Sequence, residues 1–297
     1  MEDNHIKILS FFEVTTTISI TKICASVWDV DDRYVLKSYS DKCVIEKNIL
    51  LNRLLLAKGV NVAEYVETLN GESYVYFDDK YWGLTKKIKG ACIDPYIGCF
   101  KQNGIVLGKA VAELHRILKS LEEKTEFCNA DFCNEYTSWI VPEFENGSIS
   151  FKEEILKSLF DFLNDDYKLL PRQLIHRDMH TGNMLFNDGA FYYLDFDMCQ
   201  RNVRIFDIVY LSSSLLVDSY KDETRLKQWC EIFKGILQGY NELLPLSEIE
   251  IKALPPLFVY VELLFTAFYL KRDRKEIAKN CAEMTNWIYR NISVCIA

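Results

Sequence analysis

Proline, glycine and long apolar runs are all scarce in this chain of 297 residues. It contains 6 Pro and 12 Gly, with no segment rich in either, which excludes a long disordered linker. The longest apolar segment, residues 254–270, is interrupted by Pro255, Pro256 and Glu262. It is also shorter than the roughly 20 residues that a bilayer-spanning helix needs. We therefore expect a buried core helix there, and no membrane partner.

Basic residues are outnumbered by acidic residues. The chain has 35 Lys plus Arg against 43 Asp plus Glu, a net charge of -8. A surface of this sign does not neutralise phosphates along a nucleic acid, so nucleic acid is not an expected partner. After residue 90 there are 30 acidic and 23 basic residues, and this excess favours a cationic small-molecule partner.

Paired cysteine motifs are also missing. The ten cysteines include no Cys-x-x-Cys pair and none at zinc-finger spacing from a histidine, which argues against a disulfide framework and a structural zinc site. Residues 1–14 lack the basic and apolar regions of a secretory signal. These features predict reduced thiols and a cytoplasmic location.

The first ninety residues are rich in β-branched and aromatic residues between turn signals. They predict one helix, containing Ile45 to Leu56, with Ser40 or Asp41 as its cap and Gly59 as its stop. The predicted strands are 26–30, 33–39, 62–68, 73–77 and 81–87.

Apolar residues then recur at helical spacing. The predicted helices are 106–118, 155–163, 222–243 and 257–270. Two short apolar runs, 173–175 and 192–195, flank a polar loop. The sequence thus predicts an α+β protein with a small β-rich N-terminal lobe, residues 1–86, a hinge at 87–90, and a larger helical lobe, 91–297.

The polar loop is the most informative segment of the chain. It reads His176-Arg177-Asp178-Met179-His180-Thr181-Gly182-Asn183, and Asp195-Phe196-Asp197 follows twelve residues later. In phosphoryl transfer, a carboxylate positions the acceptor hydroxyl, while a carboxamide and a second carboxylate hold the metal ions on the nucleotide phosphates. Asp178, Asn183 and Asp195 supply these groups in that order.

A His-x-Asp-x-His-x-x-Asn loop followed by Asp-Phe-Asp resembles the aminoglycoside phosphotransferase and choline kinase superfamily, small-molecule kinases with a protein-kinase-like fold. The resemblance implies that Asp178 is the catalytic base and that Asn183 and Asp195 bind Mg²⁺. It further implies that Lys37 contacts the phosphates of ATP or GTP and that Glu46 pairs with Lys37.

The hinge is also part of this resemblance. It implies that the Lys86 carbonyl and the Ile88 amide contact the adenine edge.

Two features depart from the kinase pattern. Residues 16–26 contain no glycine, although a glycine-rich loop normally covers the phosphates. Family members often use Ser or Thr instead, which assigns this role to Thr17, Ser19 and Thr21. Asp197 replaces the glycine of Asp-Phe-Gly, as is common in the small-molecule kinases, where it adds an acceptor near the second metal or in its outer shell.

Several of these residues also have structural interpretations. His176 is better explained as a buried residue that bonds the backbone near Asp195, and His180 as one that orients the loop. Glu262 on an apolar helix needs a partner, either Arg272 or a bound cationic substrate. The aromatic residues 258–269 are better explained as core.

The resemblance implies transfer of the γ-phosphoryl group to a hydroxyl of a small molecule, such as an aminoglycoside-like antibiotic or an amino alcohol, and the charge balance favours a cationic one. Two alternatives stay open. One is a catalytically silent kinase-like structural protein, for example one associated with the spore coat. The other is a protein kinase, which Asp197 and the missing Ala-Pro-Glu segment disfavour.

Overall fold

The computed structural model describes residues 2–14, 19–124, 127–146, 149–217 and 219–296. Its strands are β1 (Ile20–Cys24), β2 (Val27–Val30), β3 (Tyr34–Tyr39), β4 (Asn61–Val62), β5 (Val75–Phe77), β6 (Lys80–Lys86), β7 (Ala91–Cys92), β8 (Arg172–Ile175), β9 (Met184–Asn187), β10 (Ala190–Tyr193) and β11 (Gln200–Val203). Its helices are α1 (Glu2–Ser10), α2 (Lys42–Ala57), α3 (Phe100–Leu121), α4 (Phe132–Glu135), α5 (Val141–Asn146), α6 (Glu153–Asn164), α7 (Ile205–Leu216), α8 (Glu223–Leu243), α9 (Glu248–Lys252), α10 (Leu254–Lys271) and α11 (Lys275–Ile296).

The chain divides into two compact units. The first comprises Met1–Ile93 and Gly182–Asp197, and the second comprises Asp94–Thr181 and Met198–Ala297. The segment Gly182–Asp197, which carries β9 and β10, therefore belongs with the β-rich unit, whereas the sequence-based division placed it with the helical lobe.

An antiparallel five-stranded sheet in the order β1-β2-β3-β6-β5 forms most of the first unit. Its apolar face packs on Ile8, Leu9 and Phe12, at and just after α1, and buries Trp28 and Trp82. A second sheet, in the order β4-β10-β9-β7, joins the two chain segments of this unit. The β10 strand runs parallel to β4 and antiparallel to β9.

Local sequence signals explain the helix of the first unit. The side chain of Asp41 accepts a hydrogen bond from the Cys43 N–H at 2.8 Å and caps α2. Gly59 follows the helix with a φ of +77°, a conformation that glycine adopts without strain. Both residues take the positions that the sequence predicted.

The strand predictions were partly wrong. Of residues 62–68, only Val62 lies in a strand, and Tyr65 forms an isolated bridge with Thr85. β1 and α1 were not predicted. The two apolar runs that flank the polar loop do not pair with each other, because β8 pairs with β11 whereas β10 pairs with β9.

Helices dominate the second unit, and α3 and α8 cross at very short range. A Cβ atom added to Gly108 would lie 2.1 Å from the Ile236 carbonyl oxygen, and one added to Gly239 would lie 2.1 Å from that of Ile105. Gly104 and Gly235 are equally close to the facing backbone. The glycines thus allow the two helices to touch through their main chains.

The α10 helix begins with Pro255 and Pro256 in its first turn, where proline costs no backbone hydrogen bond. Among the described residues it is long and apolar enough to cross a membrane, with a mean hydropathy of 1.3, but 56% of it is buried inside the protein. Such burial is typical of a core helix, as the sequence predicted. Of the charged residues 271–275, residues 272–274 form the turn between α10 and α11, and Lys271 and Lys275 lie at the ends of those helices.

Candidate active site

A cavity of about 330 Å³ lies within the first unit. The predicted residues Lys37, Asn183 and Asp195 line it together with Lys86 and Ile88. Its remaining lining comes from β1 to β3, α2, the segment after β4, β6, and the end of β10 with the segment that follows it. This volume is within the range of small-molecule sites, and the apolar wall with a few polar groups is typical of them.

Lys37 bridges two carboxylates in this cavity. Its Nζ lies 2.9 Å from Asp195 Oδ1 and 2.7 Å from Asp197 Oδ2. Burial disfavours the ammonium charge, but the two carboxylates outweigh that cost and raise the pKa of Lys37. The lysine is therefore a permanent positive charge in the cavity.

Asn183 and Asp195 come together through the backbone. The Leu194 N–H donates a hydrogen bond of 3.0 Å to the Asn183 carbonyl oxygen. Asp195 has a φ of +58°, a left-handed conformation that is uncommon outside glycine and often marks a functional position. A carboxamide and a carboxylate oxygen are the hard ligands that Mg²⁺ prefers, with phosphate oxygens completing the shell.

The predicted pairing of Glu46 with Lys37 is wrong. Glu46 is half-exposed, forms an ion pair of 3.2 Å with Lys42, and accepts a hydrogen bond of 3.0 Å from the Tyr74 hydroxyl. Asn48 and Asn52 are the α2 residues that line the cavity, and Asn48 Nδ2 donates to Asp197 Oδ1 at 2.8 Å. The spacing along the sequence did not fix which face of α2 would be turned inward.

The predicted phosphate contacts of Ser19 and Thr21 also need correction. The Ser19 N–H donates to Asp31 Oδ1 at 2.6 Å, and Thr21 pairs with Asp29 in the β1–β2 ladder. Both residues precede the end of β1 that reaches the cavity, which is formed by Ile23 and Cys24. The glycine-free turn Ala25-Ser26 follows that end. Thr17 lies outside the described residues.

The hinge residues are held by backbone and side-chain contacts within the same unit. The Lys86 N–H donates to the Glu64 carbonyl oxygen at 2.9 Å, and the Lys87 N–H donates to that of Arg33 at 2.8 Å. The side chain of Lys86 forms an ion pair with Glu64. Lys86 and Ile88 both line the cavity.

Asp178 lies in the second unit. Its Oδ1 accepts a hydrogen bond of 2.6 Å from the Tyr210 hydroxyl and lies 3.9 Å from His180 Nε2. His176 is fully buried, and its Nδ1 accepts from the Asp178 N–H at 3.3 Å. The structural interpretation of His176 as a buried residue is confirmed.

The loop before Asp178 is fixed by a buried carboxylate on α7. Asp207 accepts hydrogen bonds of 2.8 Å from the N–H groups of His176 and Arg177, and one of 2.9 Å from His115 Nε2. Arg177, with a φ of +68°, also forms an ion pair of 2.6 Å with Glu135. These contacts hold a strained backbone that would otherwise relax.

Comparison with known proteins identifies the family of this chain. A model of the phosphotransferase enzyme family matches residues 25–245, which is most of the chain. The chain belongs to this family of phosphotransferases. The matched range includes the predicted Lys37, Glu46, Lys86, Ile88, Asp178, Asn183 and Asp195, whereas Thr17, Ser19 and Thr21 precede it.

Solved structures show that this phosphotransferase has an α+β, protein-kinase-like fold, as predicted. An amicoumacin kinase bound to AMP-PNP, Ca²⁺ and its ligand shares 17% identity at a TM-score of 0.72, over 96% of this chain and 93% of that one. A microcompartment-associated aminopropanol kinase shares 16% identity at 0.72, over 99% and 98%. An aminoglycoside phosphotransferase with GDP and kanamycin shares 15% identity at 0.73, over 98% and 99%. No curated protein sequence matches the chain.

Sequence reasoning missed several residues that line the cavity or contact the predicted site residues. Asn48 and Asn52 are polar residues four apart, beside the apolar positions Ile45 and Ile49 of α2, and this interruption was visible in the sequence. Asp207 was visible in the same way, as a carboxylate within an apolar helix. Tyr210 carried no signal, because its role depends on the tertiary contact with Asp178.

Glu262 is buried, with 3% of its surface exposed, and accepts a hydrogen bond of 2.5 Å from the Ser213 hydroxyl. The suggested pairing with Arg272 is wrong, since that guanidinium lies 3.5 Å over the Phe268 ring. Burial raises the pKa of Glu262 to about 7. The Ser213 hydroxyl satisfies the Glu262 carboxyl group, and the raised pKa of Glu262 favours its neutral form. The buried group therefore does not need the cation that the sequence argument required.

Proposed function

We propose that this protein transfers the γ-phosphoryl group of ATP or GTP to a hydroxyl of a small molecule, with Asp178 as the catalytic base. The observation that carries the proposal is the cavity of about 330 Å³ that is lined by Lys37, Asn183 and Asp195 together with Lys86 and Ile88. A phosphoryl transferase needs these groups in one nucleotide site, because its catalysis is mostly positioning and charge neutralisation.

Each of these residues has a separate role in the proposed reaction. Lys37 holds phosphate oxygens by a fixed charge, and the backbone groups of Lys86 and Ile88 bind the base. Asn183 and Asp195 hold Mg²⁺, which when bound neutralises charge on the phosphates. Asp178 orients the acceptor hydroxyl and accepts its proton, so that the oxygen attacks the γ-phosphorus as the bond to the leaving nucleoside diphosphate breaks.

The acceptor is proposed to be an amino-bearing molecule such as an amino sugar or an amino alcohol. Similar folds bind kanamycin or phosphorylate aminopropanol. The excess of acidic residues after residue 90 supports the same class of acceptor through long-range attraction. The ten free cysteines support a reducing, cytoplasmic location.

The test is nucleotide-dependent thermal stabilisation of the wild type and of Asp195→Asn, with ATP or GTP and with or without Mg²⁺. Asparagine tolerates the left-handed backbone at this position, so the change removes charge without adding strain. A nucleotide at 100 times its Kd adds about 2.7 kcal/mol to the stability of the native state. We expect a Mg²⁺-dependent shift in the wild type that Asp195→Asn loses.

Asp188→Asn is the matched control. Asp188 has a φ of +48° and is exposed in the β9–β10 turn, so the same charge is removed from the same backbone conformation. Its shift should equal that of the wild type. Absence of a shift with any nucleotide would overturn the proposal, and nucleotide binding without turnover of any small acceptor would favour the structural or protein-kinase alternatives.

A further inference from the structure

The face of α2 that lines the nucleotide cavity carries amides. Asn48 and Asn52 are four residues apart, so they share one face of the helix, and both line the cavity with 6% and 9% of their surface exposed. Glu46 precedes Asn48 by two residues and is therefore rotated by about 200° around the helix axis. The two side chains cannot serve the same site.

Asp197 links Asn48 to the lysine. One carboxylate oxygen, Oδ2, contacts Lys37 Nζ at 2.7 Å, and the other, Oδ1, accepts the hydrogen bond of 2.8 Å from Asn48 Nδ2. Asn48 Nδ2 also donates to the Val44 carbonyl oxygen at 3.1 Å, which fixes the amide to its own helix. Each oxygen of Asp197 thus has one partner, and the three side chains form a continuous relay.

The chemistry of the relay requires an amide at position 48. A glutamate there would place a third carboxylate beside Asp195 and Asp197, against the single charge of Lys37, and it would offer no donor to Asp197. The amide supplies an N–H donor and no charge. Hydrogen bonds to an ionised carboxylate are among the stronger ones in proteins.

We propose that Asp197, held by Asn48, is the carboxylate that positions Lys37 for the nucleotide phosphates, in place of a helix glutamate. This inference rests on the proposed function, because it assigns Lys37 to the phosphates. Asp197 and Asn48 are positioning residues, and they act on the nucleotide through the lysine. Glu46 has no part in the relay.

The test compares binding of ATP with Mg²⁺ and of adenosine to Asn48→Ala, Asp197→Asn and Glu46→Ala, by titration calorimetry. We expect Asn48→Ala and Asp197→Asn each to weaken ATP binding about tenfold, the loss expected for one hydrogen bond or contact to a charged group. Adenosine has no phosphates, so its affinity should stay unchanged. Glu46→Ala should bind both ligands as the wild type does.

The double variant Asn48→Ala with Asp197→Asn completes a mutant cycle. If the two residues act as one unit, its loss should match that of the more affected single variant rather than the product of both. Asp197→Asn keeps the shape of a partly exposed side chain and so remains informative if Asn48→Ala does not fold. Unchanged ATP binding in both single variants, or a loss in Glu46→Ala alone, would overturn the inference.

Failure of this inference is distinguishable from failure of the proposed function. If the wild type binds no nucleotide, the proposed function fails and the relay fails with it. If the wild type binds ATP with Mg²⁺ and the Asn48 and Asp197 variants bind it equally well, only the relay is wrong.

Discussion

The hydroxyl of Tyr210 on α7 donates a hydrogen bond of 2.6 Å to Oδ1 of Asp178. Burial and the adjacent Asp178 charge raise the pKa of Tyr210 far above its usual range, so the phenol stays protonated and remains a donor. Its ring lies 5.3 Å from Phe265, which restricts its movement. Tyr210 therefore fixes one carboxylate oxygen of Asp178, and this contact also sets the orientation of the other oxygen.

Tyr210→Phe should lower kcat about tenfold, because it removes one hydrogen bond to a charged group but keeps the ring. The KM for the nucleotide should not change. In an Asp178→Asn background the same substitution should have little further effect, since the hydroxyl acts only through that carboxylate.

Tyr220→Phe provides the control for this prediction. The Tyr220 hydroxyl donates to Asn280 Oδ1 at 2.9 Å in the same unit, so its removal costs a comparable hydrogen bond without touching Asp178. Steady-state kinetics should show a normal kcat for that variant. An equal fall in kcat for both phenylalanine variants would indicate a general loss of structure instead.

Glu262→Gln should change how stability depends on pH. Burial raises the pKa of Glu262 to about 7, against 4.5 for an ordinary glutamate. Between these values the folded protein keeps a proton that the unfolded chain has released, so the wild type loses stability as the pH rises from 4.5 to 7. At 1.36 kcal/mol per pKa unit the loss is about 3 kcal/mol.

The glutamine variant has no proton to lose. Its stability relative to the wild type should therefore be greater at pH 8 than at pH 5 by about 2.5 kcal/mol, because a small part of the loss has already occurred at pH 5, as measured by urea unfolding at both values. Glu113→Gln, on an exposed position of α3, should show no such difference. Parallel pH profiles for the wild type and Glu262→Gln would refute the prediction.

Gly108→Ala tests the contact between α3 and α8. Helix propensity alone predicts a gain of about 1 kcal/mol for this change in a helix interior. The added methyl group would lie 2.1 Å from the Ile236 carbonyl oxygen and 2.9 Å from the Ile236 carbonyl carbon, so backbone must move. Overpacking of this kind costs about 1–3 kcal/mol and more when the obstacle is main chain.

Helix propensity and overpacking change the stability of Gly108→Ala in opposite directions, so the sign of the measured change shows which effect is larger. We expect a lower melting temperature for Gly108→Ala. Gln102→Ala, at an exposed position of the same helix, should be neutral or slightly stabilising. A stabilised Gly108→Ala would mean that the helices do not touch there.

The sequence was most informative where chemistry imposes a fixed local spacing. Asp178, Asn183 and Asp195 belong to one short segment, and Lys37 precedes a helix that the apolar periodicity located correctly. The face of that helix was not predictable in the same way. Periodicity gives the position of α2 but not its rotation relative to Lys37 on β3 and to the distant Asp197, so Glu46 was chosen where Asn48 is used.

The glycines of α3 and α8 were missed for a related reason. In a single helix they look like weak positions, and their value appears only when the facing helix is known. The Ser19 and Thr21 assignment failed because the location of the β1–β2 turn depended on a strand, β1, that the sequence pattern did not reveal. Tertiary contacts, rather than propensity, decide each of these cases.

The return of Gly182–Asp197 to the first unit has a consequence for any attempt to divide the chain. A fragment ending at Ile93 would lack β9 and β10, so β4 and β7 would lose their partner strands and expose their edges. It would also lack both carboxylates that neutralise Lys37. The β-rich unit is therefore not a transferable module: it is completed only after translation has passed residue 197, when the whole first segment of the second unit, Asp94–Thr181, has already been synthesised.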